Sequence, residues 1–461
     1  MNQTVRAPKR ISNNFFSYGN GIFRVSGSEM ALCAYLVETS EGLIQVHTVP
    51  ELFKTYFPHL KKLPIAAVVG APVVNQLGDT HTGYEFELWT ARFLDFAKPH
   101  RLKFIGEEAH LKTLYQRLEI TMNGDFVHDE FGNKQAKFVP RRWVNEVFDW
   151  QPTLNGYSFG NVTIDTSNPH AVRIYDKGKL IFDGEQYPVS SGATTGALYV
   201  DMLLSQVEPF KWDPNRLGLI VGGNGIGTKP GVTSNFIVFF ADRLIWIDPP
   251  ARCYEKAAQL GINPDYLTEV MITHCHEDHI EGFSGLLQRK IDRKERLVLL
   301  STPPIYTQLK AIFNPVFGSD ISAHIDFKDL TDRHISENYY GCCIDIRENY
   351  HPIPTFGLRL SYNGRTIGIS GDVLYSRRLL EARLKNGSID QEQYEKLSPQ
   401  WFANCEILLH DTTVSRDPVH TDLEDVEELA QDIPHVKTFG YHFGVRFESD
   451  YVKPTQFGDR F

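Results

Sequence analysis

The chain has 461 residues, with 47 Lys+Arg against 57 Asp+Glu and a formal net charge of −10. That length calls for two or three domains, and 42% hydrophobic with 23% charged residues is a globular rather than a disordered profile. The acidic balance argues against a general binder of nucleic acid or anionic membrane, leaving room only for a local basic patch.

In chain order, strand-like runs alternate with helical ones, the pattern of an α/β protein. The N-terminal half offers AYLVETSEGLIQVHTVPE (34–51), PIAAVVGAPVVNQLGDTHTG (64–83) and AVRIYDKGKLIFDGEQY (171–187). After VEPFKWDPNR come strands at LGLIVGG (217–223), SNFIVFF (234–240), RLIWIDPP (243–250) and LTEVMIT (267–273). A helix over Ile280–Leu287 follows, then strands at RLVLLST, GLRLSY, TIGISGD and EILLHDTT. DLEDVEELAQDI (422–433) reads as an acidic amphipathic surface helix, and VKTFGYHF (436–443) as a last strand.

The two halves repeat one order. Residues 34–51 resemble 236–255, 64–83 resemble 268–282, and 171–187 resemble 357–375. The offsets are about 200, 200 and 187, which reads as an internal duplication with its boundary near 200–216. Six cysteines (Cys33, Cys253, Cys275, Cys342, Cys343, Cys405) form no CxxC pair, so reduced thiols and a cytoplasmic location are expected. No run approaches the roughly 20 apolar residues of a membrane helix. The N-terminal MNQTVRAPKRISNNFF has no apolar stretch behind its basic residues, so it does not read as a secretion signal.

The chemistry concentrates in Thr273-His274-Cys275-His276-Glu277-Asp278-His279. Residues two apart in an extended segment project to one side, which pairs His274 with His276. Asp278 and His279 follow at the bend into a helix, so four ligand-type side chains can reach one small volume. Imidazoles with a carboxylate suit Zn²⁺, with Mn²⁺ or Fe²⁺ as lesser options. Further ligands can come from His351 before PIPTFGLRL, from Asp372 at the end of TIGISGD and from His442 in FGYHFGV. The run GGNGIGTKPG (222–231) lacks the GxxxxGK[ST] spacing and reads as a tight turn beside the site. The aromatic residues Phe283, Phe313, Phe317, Tyr339 and Tyr340 lie between these motifs, and core packing is their ordinary use.

HCHEDH is the HxHxDH signature of the metallo-β-lactamase superfamily. Asp248 in LIWIDPP, the later His351, the GD at Asp372 and the last His442 follow in that family's order, so the resemblance spans roughly 215–450. It implies an αββα sandwich over 216–461 carrying two metal ions. His274, His276 and His351 would hold one, Asp278, His279 and His442 the other, and Asp372 would bridge them. Asp248 would orient ligands rather than bind metal. The implied reaction is metal-assisted hydrolysis, with Asp278 counted among the catalytic residues.

NYHPIPTFGLRL, VHTDLEDVEELA and YHFGVRF resemble segments of the tRNA 3′-processing endonucleases (RNase Z) and related phosphodiesterases. On that resemblance His420 is a candidate general acid for the leaving oxygen, while His410 and Asp411 support the site. Three features depart from RNase Z: HTD stands for HST, Gly444 stands for the usual Ser, and residues 301–350 lack a Gly- and Lys-rich arm. Together with the acidic charge they favour a small phosphodiester, such as a 3′,5′-cyclic nucleotide, over tRNA. The RNase Z activity, a carbonyl hydrolase and a ligand sensor are the alternatives. Residues 1–205 are expected to be a degenerate copy without a metal site. There Asp79 falls at Asp278, Thr80 at His279, His47 at Asp248 and Glu185 at Asp372, and Val73–Leu77 replace the His-x-His segment. No membrane partner is expected, nucleic acid is disfavoured, and the oligomeric state is open, a homodimer being one option.

Overall fold

The computed structural model describes residues 7–12, 14–26, 32–49, 52–71, 83–84, 101–123, 148–168, 171–187, 193–208, 210–225, 233–387, 389–414 and 420–461. Two compact units divide the chain: Met1–Glu119 with Arg141–Met202 and Ile312–Ser319, and Ile120–Pro140 with Leu203–Ala311 and Asp320–Phe461.

The first unit holds an eight-stranded sheet, β1 (Lys9–Ser12), β2 (Phe15–Gly19), β3 (Ile22–Ser26), β4 (Cys33–Glu38), β5 (Leu43–Val46), β6 (Pro64–Val69), β7 (Leu102–Gly106) and β8 (Phe148–Pro152), in that spatial order. Helix α1 (Leu52–Leu60) connects β5 to β6. A second sheet contains β9 (Tyr157–Phe159), β10 (Val162–Asp165), β11 (Arg173–Asp176) and β12 (Lys179–Asp183). The alternating apolar residues of both sheets meet in one core, where Tyr35, Val37, Ile44 and Val68 pack with Val162, Ile164, Ile174 and Phe182.

The second unit repeats the plan. One six-stranded sheet runs β13 (Gly218–Gly223), β14 (Asn235–Phe240), β15 (Arg243–Ile247), β16 (Glu269–Met271), β17 (Leu297–Ser301) and β18 (Ile325–Asp329). The other runs β19 (Cys343–Glu348), β20 (Phe356–Tyr362), β21 (Arg365–Ile369), β22 (Ile407–Asp411), β23 (Lys437–Tyr441) and β24 (Val452–Pro454). NFIVFF and RLIWI are almost wholly apolar because β14 and β15 are covered on both faces. The sheets pack face to face: Phe236 of β14 meets Tyr441 of β23 edge-on at 5.0 Å, and Phe240 approaches Tyr362 at 5.4 Å. The C-terminal segment closes the outer edge of β13 through Leu219–Phe461 and Val221–Asp459 backbone hydrogen bonds. Helices α2 (Cys253–Gln259), α3 (Glu277–Asp292) and α4 (Leu423–Asp432) complete the parts that concern the site.

The repeat is visible in strand direction. In both units two antiparallel pairings are followed by three parallel ones, β3 to β8 matching β13 to β18. The β11–β12 hairpin turns at Lys177-Gly178 (φ 51° and 74°), and its counterpart β20–β21 turns at Asn363-Gly364 (φ 48° and 78°). Both are turns with two left-handed residues, the kind that matches strand twist. This is an α/β chain with the metallo-β-lactamase sandwich in its second half, preceded by a copy of the same strand plan.

Three local expectations need correction. The helix after the His cluster begins at Glu277 rather than Ile280, so Asp278 and His279 lie in its first turn, where a helix N-terminus favours acidic side chains. Strand β21 ends at Ile369, so Asp372 stands three residues beyond it in a loop. The strand over 267–273 shortens to β16, because from Ile272 onward the chain turns into the cluster. Strands β18, β19 and β24 were not foreseen. Phe283 and Phe313 are buried core residues, while Tyr340 is exposed. All six cysteines are free thiols. Asp79, Thr80 and Val73–Leu77 lie outside the described residues.

Candidate metal centre

Both sheets of the second unit place the carboxyl ends of parallel strands at one rim, the usual location of sites in α/β folds. Asp248 follows β15, the cluster follows β16, Asp372 follows β21, Asp411 ends β22 and His442 follows β23. Asp248 and His442 have left-handed backbones, φ 52° and 67°. The His442 turn is held by its own N–H, which donates to the Asn224 carbonyl at 2.6 Å. Asn224 belongs to the glycine run, so its described part does lie beside the site. Gly282 of α3 lets the helix approach the Asp248 loop: its N–H donates to Pro249 at 2.9 Å, and a Cβ there would stand 2.4 Å from the Pro250 carbonyl.

All seven residues expected as metal ligands come together. His274, His276, His351 and Asp372 form one group whose donor atoms lie within 4.8 Å of one another, and Asp278, His279 and His442 form another. Asp372 stands between them, its Oδ2 3.3 Å from His279 Nε2, 3.4 Å from His442 Nε2 and 3.6 Å from His274 Nε2. Asp248 fastens the cluster: its Oδ1 accepts from Thr273 N at 2.8 Å, and its Oδ2 accepts from Thr273 Oγ1 at 2.5 Å and contacts His279 Nδ1 at 2.9 Å.

The electrostatics are those of a cation site. Burial pushes the pKa values of His274 and His351 well below the ordinary imidazole value and that of His276 down to about 4, so these rings stay neutral, as metal ligation requires. Burial also disfavours charge on His279, but Asp372 and Asp278 outweigh it and hold its pKa well above normal. Burial would raise the Asp372 pKa, and the surrounding His442, His279 and His274 reverse that and hold it well below the carboxylate range. His276 Nε2 and Asp372 Oδ1 are buried without a hydrogen-bond partner. Orphaned donor atoms of nitrogen and oxygen, in a buried pocket of four imidazoles or more and several carboxylates, fit divalent cations of the zinc type.

His420 also joins the group. Its ring stacks on His442 at 4.2 Å, and its Nδ1 lies 2.8 Å from Asp411 Oδ2. Asp411, fully buried, also accepts from Val373 N at 2.9 Å. Thr421 clamps the loop, accepting from Tyr375 N at 3.0 Å and donating to the Val373 carbonyl at 2.6 Å. Asp411 is the residue whose part was under-read from sequence; the available signal was its position at a strand end beside the other site loops. Asn349 was missed altogether. Its Nδ2 donates to the Ser370 and Asp372 carbonyls at 2.7 and 3.0 Å, fixing the loop that carries Asp372.

Fold and site together are those of the metallo-β-lactamase superfamily. A family model described as "Anti-Pycsar protein Apyc1" matches residues 219–458, and the chain belongs to that family. A protein of Dictyostelium discoideum described as "cGMP-dependent 3′,5′-cGMP phosphodiesterase A" is 25% identical over 245 residues, 51% of this chain and 27% of that protein. The chain thus spans about a quarter of that relative's length. Among solved structures, the metallo-β-lactamase fold protein YhfI from Bacillus subtilis is 15% identical, covering 53% of this chain and 99% of that one with a TM-score of 0.41. A long-form RNase Z from yeast is 10% identical, covering 93% of this chain and 72% of that one with a TM-score of 0.40.

Proposed function

We propose that the chain is a binuclear metal-dependent phosphodiesterase acting on a small nucleotide, a 3′,5′-cyclic nucleotide, with its site in residues 216–461. The observation that carries this reading is Asp372, one carboxylate oxygen facing three imidazoles drawn from two donor groups. His274, His276 and His351 would hold one ion, Asp278, His279 and His442 the second, and Asp372 both, with Zn²⁺ the ion that suits this donor set. Such ions, when bound, lower the pKa of water and stabilise negative charge on an attacked phosphoryl group.

The residues of the chain supply the rest. Asp248 and Thr273 fix the rings of His279 and His274. His420, with Nδ1 turned to Asp411, would deliver a proton from its other nitrogen to the leaving oxygen. The description of the Dictyostelium relative supports a cyclic nucleotide as substrate. The formal net charge of −10 weighs against a polyanionic tRNA. Residues 1–205 are read as the degenerate copy, without a metal site.

The test is turnover by the zinc-loaded full chain on a panel of 3′,5′-cyclic nucleotides and on precursor tRNA, with metal analysis alongside. Hydrolysis of a cyclic nucleotide to the monophosphate with two metals per chain is expected. Cleavage of the tRNA without turnover of any cyclic nucleotide would replace this reading with the RNase Z one.

A further inference from the structure

Strand register brings Asp411 and His442 side by side. Strands β22 and β23 run parallel with Asp411 opposite Tyr441, and Thr412 N donates to the Tyr441 carbonyl at 2.8 Å. His442 comes next, with its left-handed backbone. Asp411 is anchored on its other side. Its N–H donates to Ser370 Oγ at 2.8 Å, and its Oδ2 accepts from Val373 N at 2.9 Å.

The two nitrogens of the His442 ring face different partners. Nε2 lies 3.4 Å from Asp372 Oδ2 and 3.9 Å from Asp278 Oδ2, among the expected ligands. Nδ1 lies 3.6 Å from Asp411 Oδ1. That is longer than a hydrogen bond, yet both atoms are buried and neither has a hydrogen-bond partner. Leaving a buried nitrogen and a buried carboxylate oxygen unpaired is costly, and each is the nearest remedy for the other. Shortening the 3.6 Å separation by about 0.4 Å makes the hydrogen bond. The second oxygen of the same carboxylate already meets His420 Nδ1 at 2.8 Å, and the His420 and His442 rings stack at 4.2 Å. One carboxylate therefore faces both rings, one oxygen to each.

We propose that Asp411 is a positioning residue for the metal site as well as for His420. Its Oδ1 accepts the Nδ1 proton of His442, which leaves the Nε2 lone pair for the ion that Asp278, His279 and His442 would hold. This rests on the two-metal reading. The partner of one ring nitrogen sets the tautomer, and with it the nitrogen open to a metal. His279 has the same arrangement, with Nδ1 2.9 Å from Asp248 Oδ2 and Nε2 3.3 Å from Asp372 Oδ2. Both imidazoles of that group then have a carboxylate behind the ring. Asp411 differs in also holding the ring expected to protonate the leaving oxygen, so its loss loosens an ion and an acid together. In Asp411→Asn the amide oxygen keeps the Oδ2 place, where Val373 N donates and His420 Nδ1 lies, and the NH₂ group is left facing His442 Nδ1.

The experiment is proton NMR of the full chain loaded with Co²⁺, with zinc affinities from chelator competition alongside. Wild type should show an exchangeable, hyperfine-shifted ring N–H signal that is missing from His442→Ala and exchanges slowly with solvent. Asp411→Asn should lose that signal or speed its exchange at least tenfold. It should also weaken one of the two zinc affinities about tenfold, with two ions regained at saturating zinc. His420→Ala removes the stacked ring but not the carboxylate and should keep the signal. A signal and affinities that Asp411→Asn leaves unchanged would overturn the proposal. Where that variant does not fold, the wild-type spectrum decides, and absence of the His442 signal overturns the proposal as well. No readout here uses turnover, so a wrong substrate fails separately, and the two-metal reading fails on a different number, the wild-type stoichiometry.

Discussion

Asp411 Oδ2 lies 2.8 Å from His420 Nδ1, a contact between the end of strand β22 and a loop nine residues further on. The carboxylate selects the tautomer with the proton on Nδ1 and sets the ring plane, the part a buried acid plays beside a catalytic histidine. If His420 protonates the leaving oxygen, His420→Ala should lower kcat on a cyclic nucleotide by about 10²–10⁴. The same variant should be nearly indifferent on bis-p-nitrophenyl phosphate, whose leaving group departs without a proton. Steady-state rates on the two substrates check this. An equal loss on both would assign His420 a structural part.

Asp411→Asn should show the same substrate dependence at smaller size. The amide retains an acceptor for Val373 N but presents a neutral partner to His420. KM should move little, because neither residue is expected to carry ground-state binding.

The two-metal assignment predicts that Asp278→Ala lowers the metal content from two ions per chain toward one and the rate at least 100-fold, in keeping with how metal pairs share a substrate. Elemental analysis with parallel rate measurement checks it. Full activity with one ion bound would defeat the assignment. Asp248→Asn acts differently, since Asp248 touches Thr273 and His279 through both oxygens. The amide turns one of those acceptors into a donor. Metal affinity should fall about 10–100-fold with stoichiometry intact at saturating zinc.

The cluster was legible because its residue types are rarely placed together unless a cation compensates them. The partition into two donor groups was not readable from spacing; it follows from resemblance, and the side chains themselves fall into several overlapping groups. Asp411 was hard to rank because an Asp at a strand end usually forms a turn, and only the approach of the His420 loop gives it a partner. Asn349 carries no sequence signal at all, since its work is done through backbone carbonyls of a distant segment. The pairing of β19 with β20 was equally hidden, because in CIDIRE only Ile344 and Arg347 are buried and the burial follows no regular alternation. The duplication was legible at the hairpins, where short-range turn chemistry repeats even though the side chains have diverged.

His410 gives a pH prediction. It is fully buried, and its Nδ1 donates to the Asp411 carbonyl at 2.7 Å. Burial lowers its pKa from 6.5 to about 3, with that backbone hydrogen bond opposing only in part. Between those values the unfolded chain binds the proton and the folded chain does not, so stability falls as pH falls from 6.5 toward 3 and is complete above 6.5. The slope is about 1.4 kcal/mol per pH unit for one proton. His410→Gln should flatten the dependence of the thermal midpoint on pH between 6.5 and 4.5 relative to wild type, whatever its effect at pH 7.

The first half makes the last prediction. His47 occupies the place of Asp248 in the strand plan: it follows β5 with φ 60°, and its N–H donates to the Val68 carbonyl at 3.0 Å as Asp248 N donates to Met271 at 2.9 Å. The backbone turn has therefore been kept while the side chain has changed from an acid to an imidazole packed against Gly70, where a Cβ would stand 2.4 Å from the ring. Glu185, aligned with Asp372, is instead exposed and paired with Arg173 at 2.8 Å. Among the described residues, no group of three or more donors gathers in this unit. A full-length chain carrying His274→Ala, Asp372→Ala and His442→Ala, which leaves fewer than three donors in each group of the second unit, should consequently bind no zinc above background by elemental analysis, provided its circular dichroism matches wild type. One ion retained per chain would mean that the first copy still holds a metal.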